Sequence, residues 1–177
     1  MQAPAPGTAI CRGFSLIELM VTITIAAIML ALAAPGMSQL LANSRIATQS
    51  SDMMANLALA RSEAIKRGVR TTLCPSDSGT GCTATAWSAG YMAFVDSNGD
   101  GSFNTGSDIV LRVSGRSPGN STLASSDFST AVPLQFLPSG QASKAGSFSV
   151  CQSGQPGRII AVTLAGGASA VVSSVCS

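Results

Sequence analysis

Residues 11–34 read CRGFSLIELMVTITIAAIMLALAA, an apolar stretch near the start of the 177-residue chain. From Phe14 onward, 21 residues include a single ionisable side chain, that of Glu18. A helix of this length spans about 31 Å, roughly the hydrocarbon core of one bilayer. Arg12 lies two residues before Phe14, and positive charge on that flank keeps the N-terminus cytoplasmic. The stretch therefore predicts a membrane helix whose following residues lie on the far side.

A secretory signal peptide is the alternative interpretation of this stretch. Ala31-Leu32-Ala33 has the small residues of a cleavage site. The apolar run is longer than the roughly 7–15 residues of such a signal, and an acid at its start is poorly tolerated there. The membrane helix is the favoured interpretation.

The composition indicates one strongly apolar segment attached to a more polar domain. Only 10% of the residues are charged and the mean hydropathy is +0.38, although Gly and Ser are frequent in the second half. The net charge of +2 is too small to indicate a polyanionic partner by itself. The chain has no histidine, which removes the commonest general base and metal ligand. The composition therefore argues against an enzyme.

The helix is expected to continue beyond the apolar stretch. Pro35 and Gly36 predict a kink, because helical periodicity resumes after them. Four apolar residues then recur at i, i+4, i+7 and i+11, which places them on one helix face: Met53, Leu57, Ala60 and Ala64. Gly68 is a natural C-cap, so the helix should end near Arg67. Its apolar stripe is expected to pack on a core.

Beyond Gly68 the pattern changes to strands separated by Gly, Ser, Asn and Pro. The predicted strands are residues 70–73, 91–95, 109–113, 132–136, 147–151, 158–164 and 168–173. Gly166-Gly167 between the last two is a tight-hairpin signal. About 110 residues can bury a core when the helix stripe covers one sheet face. The sequence therefore predicts an α+β protein with a long N-terminal helix packed on antiparallel β-sheets.

The nonapeptide CRGFSLIEL at residues 11–19 resembles the class III signal of type IV prepilins and pseudopilins. The resemblance implies that a prepilin peptidase cuts between Gly13 and Phe14, that Phe14 is then N-methylated, and that Glu18 is the family's fifth-position acid. A carboxylate in hydrocarbon costs at least a few kcal/mol unless it is paired. The N-terminal ammonium of a neighbouring subunit, at similar depth, would be such a partner. Alternatively, Glu18 reaches the lipid headgroups.

A second pattern lies further along the chain. ARSEA at residues 60–64, LCP at residues 73–75, Cys82, Trp87, Gly90 and FVD at residues 94–96 resemble the GspH/FimT family. This family contains H-type pseudopilins of type II secretion and minor pilins of the FimT and FimU types. Membership implies a pilin fold whose first helical half is transmembrane.

The two resemblances together imply a processed subunit of a filament. The expected parts are a leader at residues 1–13, a transmembrane and assembly segment at 14–35, an amphipathic helix half at 36–68 and a periplasmic β domain at 69–177. The expected partners are other pilins, the prepilin peptidase and the inner membrane, from which the subunit passes into a pilus or pseudopilus. No cofactor, metal or catalytic residue is expected.

Five cysteines divide around the apolar stretch. Cys11 precedes it, while Cys74, Cys82, Cys151 and Cys176 follow it and can pair in an oxidising compartment. The simplest bridges are Cys74–Cys82, stabilising by about 2–3 kcal/mol, and Cys151–Cys176, by about 3–4 kcal/mol. In a three-stranded meander the second pair lies two strands apart, too far for a bond unless the tail curls over. A zinc site is the rival, but the spacings do not suit it.

Two further motifs have structural alternatives. DSNGDG at residues 96–101 imitates the start of a calcium loop, but position twelve is Ser107 and Asp108 comes one residue late. A polar hairpin turn is favoured for this loop. GRSPG at residues 115–119 matches a nucleophile elbow and raises a membrane-anchored hydrolase as a remote alternative. Without a histidine Ser117 lacks an obvious base, so a turn is favoured here too.

DNA binding is the alternative function that the family resemblance raises. Some FimT-type minor pilins are associated with DNA uptake, through a glycine-arginine-any-arginine motif near the C-terminus. Gly157 and Arg158 match its first half, but Ile160 stands where the second arginine belongs. Residues 121–177 contain only Lys144 and Arg158 against Asp127. So few cations predict weak phosphate affinity, and Arg158 at the edge of a strand is favoured over a DNA contact.

Overall fold

The computed structural model describes residues 14–176, with side chains for all of these except residues 32–35 and 175. The predicted leader at residues 1–13, with Cys11, Arg12 and Gly13, lies outside the described residues. By its internal contacts the chain divides into two compact units, with the boundary between Ser38 and Gln39. Each unit has its own character and is described by itself.

The first unit contains the start of helix α1, which extends over Leu16–Arg67. Ser15 caps it, since its Oγ accepts a hydrogen bond from the Glu18 N–H at 3.3 Å. Two threonines in the apolar stretch bond back to the helix: Thr22 Oγ1 donates to the Leu19 carbonyl and Thr24 Oγ1 to that of Met20. Their hydroxyls are therefore satisfied without water, as a hydrocarbon environment requires.

Large apolar side chains are exposed along this segment. At its two ends, Phe14 is 74% exposed and Leu30 is 70% exposed. In the described residues, no single helix meets the length and hydropathy criteria for a membrane span. The helical segments Leu16–Ala31 and Gly36–Arg67 meet these two criteria only when they are taken together across the bent break between them. The kink predicted at Pro35 falls at this break.

In the second unit, α1 has one buried face. The predicted stripe of Met53, Leu57, Ala60 and Ala64 is fully buried, at 0–1% exposure. The helix ends at Arg67, as predicted. Gly68 follows with φ +66°, and its N–H donates to the Ala64 carbonyl at 3.0 Å. A left-handed glycine that closes the last turn is the usual end of such a helix.

Two four-stranded antiparallel sheets follow the helix. The strands are β1 Arg70–Pro75, β2 Tyr91–Asp96, β3 Ile109–Ser114, β4 Thr122–Ala124, β5 Leu134–Phe136, β6 Gly146–Cys151, β7 Pro156–Val162 and β8 Ala168–Val175. A short 3-10 turn at Trp87–Ala89 precedes β2. The first sheet has the order β3-β2-β1-β5 and the second β4-β6-β7-β8. The α+β prediction is confirmed.

The strand predictions differ from the structure in several places. Strands β1 and β8 each extend two residues further than predicted, and β7 ends two residues earlier. Strand β4 is missed, because three residues are too few to establish a period. Strand β5 begins at Leu134 and not at residue 132, since Pro133 has no N–H to donate to a ladder. Strand β7 begins at Pro156, two residues early, so Arg158 lies inside the strand and not at its start. The hairpin predicted across Gly166-Gly167 is present, and its last cross-strand pair is Val162 with Ala168.

The core of the second unit lies between α1 and both sheets. Trp87 packs edge-to-face on Phe148, and Phe128 stacks on the same ring. The cluster joins the helix stripe to buried residues of six strands, and its largest members include Leu73, Leu123, Leu134, Phe136, Phe148 and Ile160. Burial of each large side chain contributes about 1.5–3 kcal/mol.

The structure contains both disulfides, Cys74–Cys82 and Cys151–Cys176. The second joins the end of β6 to the residue after β8, across β7, with 5.7 Å between the Cα atoms. Two features allow this crossing. The register shifts between Pro156 and Arg158, and the Cys176 N–H donates to the Gln155 carbonyl, so the tail curls inward. Gly157 lies beneath the sulfurs, where a Cβ would stand 2.6 Å from Cys176 Sγ and 2.9 Å from Cys151 Sγ.

We expect Gly157→Ala to lower the free energy of unfolding by about 1–3 kcal/mol, because the new methyl group overpacks the disulfide. Chemical denaturation of the oxidised protein measures this. Gly115→Ala is the matched control, since a Cβ there has no atom within 4 Å. In a Cys151→Ala/Cys176→Ala background the loss should shrink by at least half. An equal loss in both backgrounds would contradict the steric role of the sulfurs.

Candidate functional site

The ARSEA segment at residues 60–64 fixes α1 to the loops of the second sheet. Arg61 donates from Nε to the Gly140 carbonyl at 2.9 Å and from Nη2 to the Ala165 carbonyl at 3.0 Å. Ala60 and Ala64 bring the helix close to the core because they lack longer side chains. Glu63 pairs with Arg67 on the same helix, and this hydrogen bond lowers the pKa of its carboxyl group. The ARSEA segment therefore attaches helix α1 to loops of the β domain.

Trp87 and Gly90 hold the chain where β1, β2 and β3 meet. The Trp87 Nε1–H donates to the Phe128 carbonyl at 2.9 Å, which satisfies a buried indole. Gly90 has φ +130°, and a Cβ there would stand 2.5 Å from the Ser76 carbonyl oxygen and 2.8 Å from that of Ser114. Only glycine fits this close approach of three backbone segments.

Asp96 at the end of β2 organises the following loop. Its carboxylate is fully buried and accepts hydrogen bonds from the N–H groups of Gly99 at 2.7 Å and Gly101 at 2.9 Å. Side chains donate two more, Thr72 at 2.8 Å and Gln135 at 3.1 Å. A buried charge with this many donors is well satisfied.

We expect Asp96→Asn to lower the free energy of unfolding by about 2–3 kcal/mol. The NH₂ group of asparagine is a hydrogen-bond donor, and it would face a group that now donates to the Asp96 carboxylate. Thermal and urea unfolding of the oxidised protein measure this change. The exposed Asp52→Asn variant is the control and should stay within about 0.5 kcal/mol of the parent. Equal stability of the two variants would mean that the loop does not depend on the Asp96 charge.

The DSNGDG loop uses its oxygens for its own backbone. Asn98 Oδ1 accepts from the Asp100 N–H, and Asp100 Oδ1 accepts from the Ser102 N–H at 2.7 Å, which lowers the Asp100 pKa. Asp108 accepts from the N–H groups of Ser97 and Asn104. Among the described residues no group of three or more His, Cys, Asp or Glu side chains could hold a metal ion. These contacts are those of a capped hairpin turn.

Ser117 lies in the loop between β3 and β4 and not at the start of a helix. Its Oγ accepts a hydrogen bond from Gln49 Nε2 on α1. Nearby, Asn56 Nδ2 donates to Tyr91 Oη at 2.7 Å and to Ser114 Oγ at 3.1 Å, and burial raises the Tyr91 pKa. These residues form a polar seam between helix and sheet that the sequence pattern did not indicate.

Arg158 is half-buried inside β7, between Val150 of β6 and Val172 of β8. It lines a cavity of about 220 Å³ together with Asn43 and Ile46 of α1. The adjoining Gly157 is required beneath the disulfide, as described above. Both residues of the partial DNA-binding motif thus have places in the packing of the second sheet.

Glu18 stands at the third helical position after the Ser15 cap. Within residues 14–176 its carboxylate has no hydrogen bond or ion pair, and its neighbours Ile17 and Leu19 are exposed. Ser15 and Glu18 have the spacing of a capping box, and an acid in the first turn suits the helix dipole. The capping box is visible in the sequence as the pattern S-x-x-E at residues 15–18.

Two family models match the chain. One, described as the prokaryotic N-terminal methylation motif, matches residues 9–34. The other, described as type II transport protein GspH, matches residues 49–167. A methylation motif on an apolar helix, followed by two antiparallel sheets, defines a type IV pilin-like protein. The chain belongs to the GspH family, and the resemblance to GspH/FimT proteins is confirmed. No curated protein matches the chain.

Solved structures share the fold. The minor pilin FimU of Pseudomonas aeruginosa PAO1 superposes with a TM-score of 0.58 at 18% identity, over 76% of this chain and 97% of FimU. A second crystal form of FimU gives 0.51 at 20% identity, over 76% and 99% of the two chains. The minor pseudopilin EpsH of Vibrio cholerae gives 0.49 at 14% identity, over 72% and 97%. The FimU structures confirm the pilin fold.

Proposed function

We propose that this chain is a minor pilin or pseudopilin that helps to initiate or cap a type IV pilus or a type II secretion pseudopilus. A prepilin peptidase cuts between Gly13 and Phe14, and Phe14 is N-methylated. Residues 14–35 then hold the subunit in the inner membrane as a single pass, while residues 69–177 form the periplasmic β domain. The other helix half, at residues 36–68, connects these two parts.

The observation that carries this proposal is the presence of a methylation motif and a GspH domain on one chain. Three features of the described residues support it. The side chains of the first helical segment are apolar and exposed, its threonine hydroxyls are bonded internally, and the Glu18 carboxylate has no partner within residues 14–176. An exposed apolar helix with one unpaired acid suits a helix that packs among the apolar helices of other pilins in a filament.

The test is deletion of the gene in its native host, followed by two separate measurements. Surface filaments are counted after shearing, and secretion of folded enzymes into the medium is assayed. Loss of the first assigns the subunit to a pilus, and loss of the second assigns it to a pseudopilus. The protein should also be present in the corresponding filament fraction. If both processes are unchanged and the protein is absent from filaments, the proposal is wrong.

DNA binding and hydrolysis have weaker support. Arg158 is half-buried, and Lys144, the other cation after residue 120, donates to the Asp127 carbonyl. The Ser117 hydroxyl is engaged by Gln49. We therefore propose a structural role without catalysis. Reduced transformation by Arg158→Gln, with filaments intact, would support the DNA-binding alternative instead.

A further inference from the structure

A cavity of about 400 Å³ opens between α1 and the loop that follows β3. Gln49 and Asp52 of the helix form one wall, and Arg112 and Arg116 of β3 and its loop form the other. Trp87 and Leu123 lie among its lining residues and are almost completely buried. The cavity therefore has an apolar base and a charged entrance, which is typical of a site for a specific ligand.

The side chain of Gln49 has an unpaired polar atom in this cavity. Gln49 is 8% exposed; its Nε2 donates to Ser117 Oγ, while its Oε1 is buried and has no hydrogen-bond partner. Rotating the amide by half a turn would satisfy Oε1 from the serine hydroxyl and leave Nε2 unpaired instead. Buried polar atoms are normally paired. This atom has less than 1 Å² of accessible surface, so a bound molecule reaches it only when the Gln49 side chain turns toward the cavity that it lines.

The charges at the entrance are also unpaired. Arg112 and Arg116 are exposed, and neither makes a hydrogen bond or an ion pair within 4 Å among residues 14–176. Asp52 on the helix wall likewise has neither, although its charge acts on Tyr91. The Asp77 carboxylate interacts electrostatically with Arg116 but forms no ion pair with it within 4 Å. The entrance thus offers two guanidinium groups and one carboxylate.

We propose that this pocket binds a peptide segment of a neighbouring pilin-like subunit, whose acidic side chain pairs with Arg112 and Arg116. A peptide N–H of this segment faces Asp52, and Gln49 turns its unpaired amide oxygen outward to accept from a second one. This inference rests on the filament function proposed above. A nucleic-acid backbone fits less well, because phosphate groups have no N–H to donate and Asp52 would repel a polyanion. The planar guanidinium group of arginine can donate two parallel hydrogen bonds to one carboxylate group.

The test uses the full-length protein in cells that assemble filaments, with benzoylphenylalanine in place of Thr48. Thr48 is exposed and lines the pocket, and Ser102 on the far loop of the first sheet provides the control position. After irradiation, filaments are sheared and the cross-linked peptide is identified by mass spectrometry. The expected product at Thr48 is a segment of another pilin-like subunit that contains Asp or Glu.

Variants then test the chemistry of the contact. Arg112→Glu/Arg116→Glu should reduce this cross-link at least tenfold, and a Lys in place of the partner's acidic residue should restore it. Lys66→Glu/Lys144→Glu makes the same change in net charge away from the pocket and should leave the cross-link intact. Gln49→Met should reduce the cross-link roughly fivefold to tenfold, the ratio expected for one hydrogen bond. Retained melting temperature excludes misfolding as the cause.

The cross-linking experiment distinguishes failure of the pocket proposal from failure of the proposed filament function. If the parent is present in filaments but the Thr48 position cross-links to nucleic acid, to lipid or to nothing, the pocket proposal is overturned while the filament function stands. A cross-link that survives the double arginine reversal overturns it as well. Absence of the parent from filaments overturns both proposals.

Discussion

Gly13→Trp is expected to leave the chain uncut between residues 13 and 14 and to reduce its amount in filaments at least tenfold. Glycine is the only small residue placed between Arg12 and the apolar run, so a peptidase that recognises this position cannot act on the variant. The uncut chain keeps Arg12 at the start of its apolar helix. Its Phe14 nitrogen stays in a neutral peptide bond, so no ammonium is available to pair with a neighbour's Glu18.

Intact-mass measurement of membrane-extracted protein checks the processing. The parent should begin at an N-methylated Phe14, and the variant at Met1. Gly7→Trp is the matched control, because the substitution lies within the expected leader and should yield a mature protein of unchanged mass. A parent cut after Ala33, or left uncut, would contradict the assigned processing site and with it the proposed assembly.

Local patterns were the parts of the fold that the sequence predicted well. The helix end at Arg67 depends on a stripe of four apolar residues and on one left-handed glycine, both of which are visible in the sequence. Strands β2 and β3 were located to within one residue, since each is a six-residue run bounded by turn residues. Such features depend on neighbours along the chain, and no tertiary contact is needed to recognise them.

Features made by distant segments were not predictable in the same way. The Cys151–Cys176 bridge seemed too long for a meander, because its feasibility depends on the bulge at Pro156 and on the bare backbone of Gly157. The pocket combines residues of α1, the 3-10 turn and β3, and its unpaired Gln49 atom exists only once these segments pack together. Periodicity contains no information on such juxtapositions.

Glu18 shows the opposite case, in which the sequence indicates a function that the fold of one subunit does not use. The carboxylate makes no hydrogen bond or ion pair within residues 14–176, and exposed apolar side chains surround it. If Glu18 is paired in a filament, as we propose, its partner comes from outside the described part of the chain. The N-terminal ammonium of a neighbouring subunit is the partner that processing at Gly13 would create.

Glu18→Ala is expected to insert into the membrane at least as well as the parent but to enter filaments at least tenfold less. Removing the acid removes a cost of at least a few kcal/mol for placing it in hydrocarbon. It also removes the pairing that fixes the axial register against a neighbour, and leaves that neighbour's ammonium unpaired among apolar helices, which costs about 3–5 kcal/mol. Glu18→Gln keeps the size and hydrogen-bonding capacity without the charge, so it separates charge from shape.

The measurement is the amount of the protein in sheared filaments, or the number of filaments that form when it is the initiating subunit, divided by its membrane level. Glu63→Gln is the matched control, since Glu63 is the other glutamate of α1 and pairs with Arg67. It should assemble like the parent. If Glu18→Gln assembles and Glu18→Ala does not, a hydrogen bond at this position is sufficient for assembly. The proposed ion pair with a neighbour's ammonium is then wrong. If both assemble normally, Glu18 only reaches the headgroups, and axial register must come from packing of the apolar helices alone.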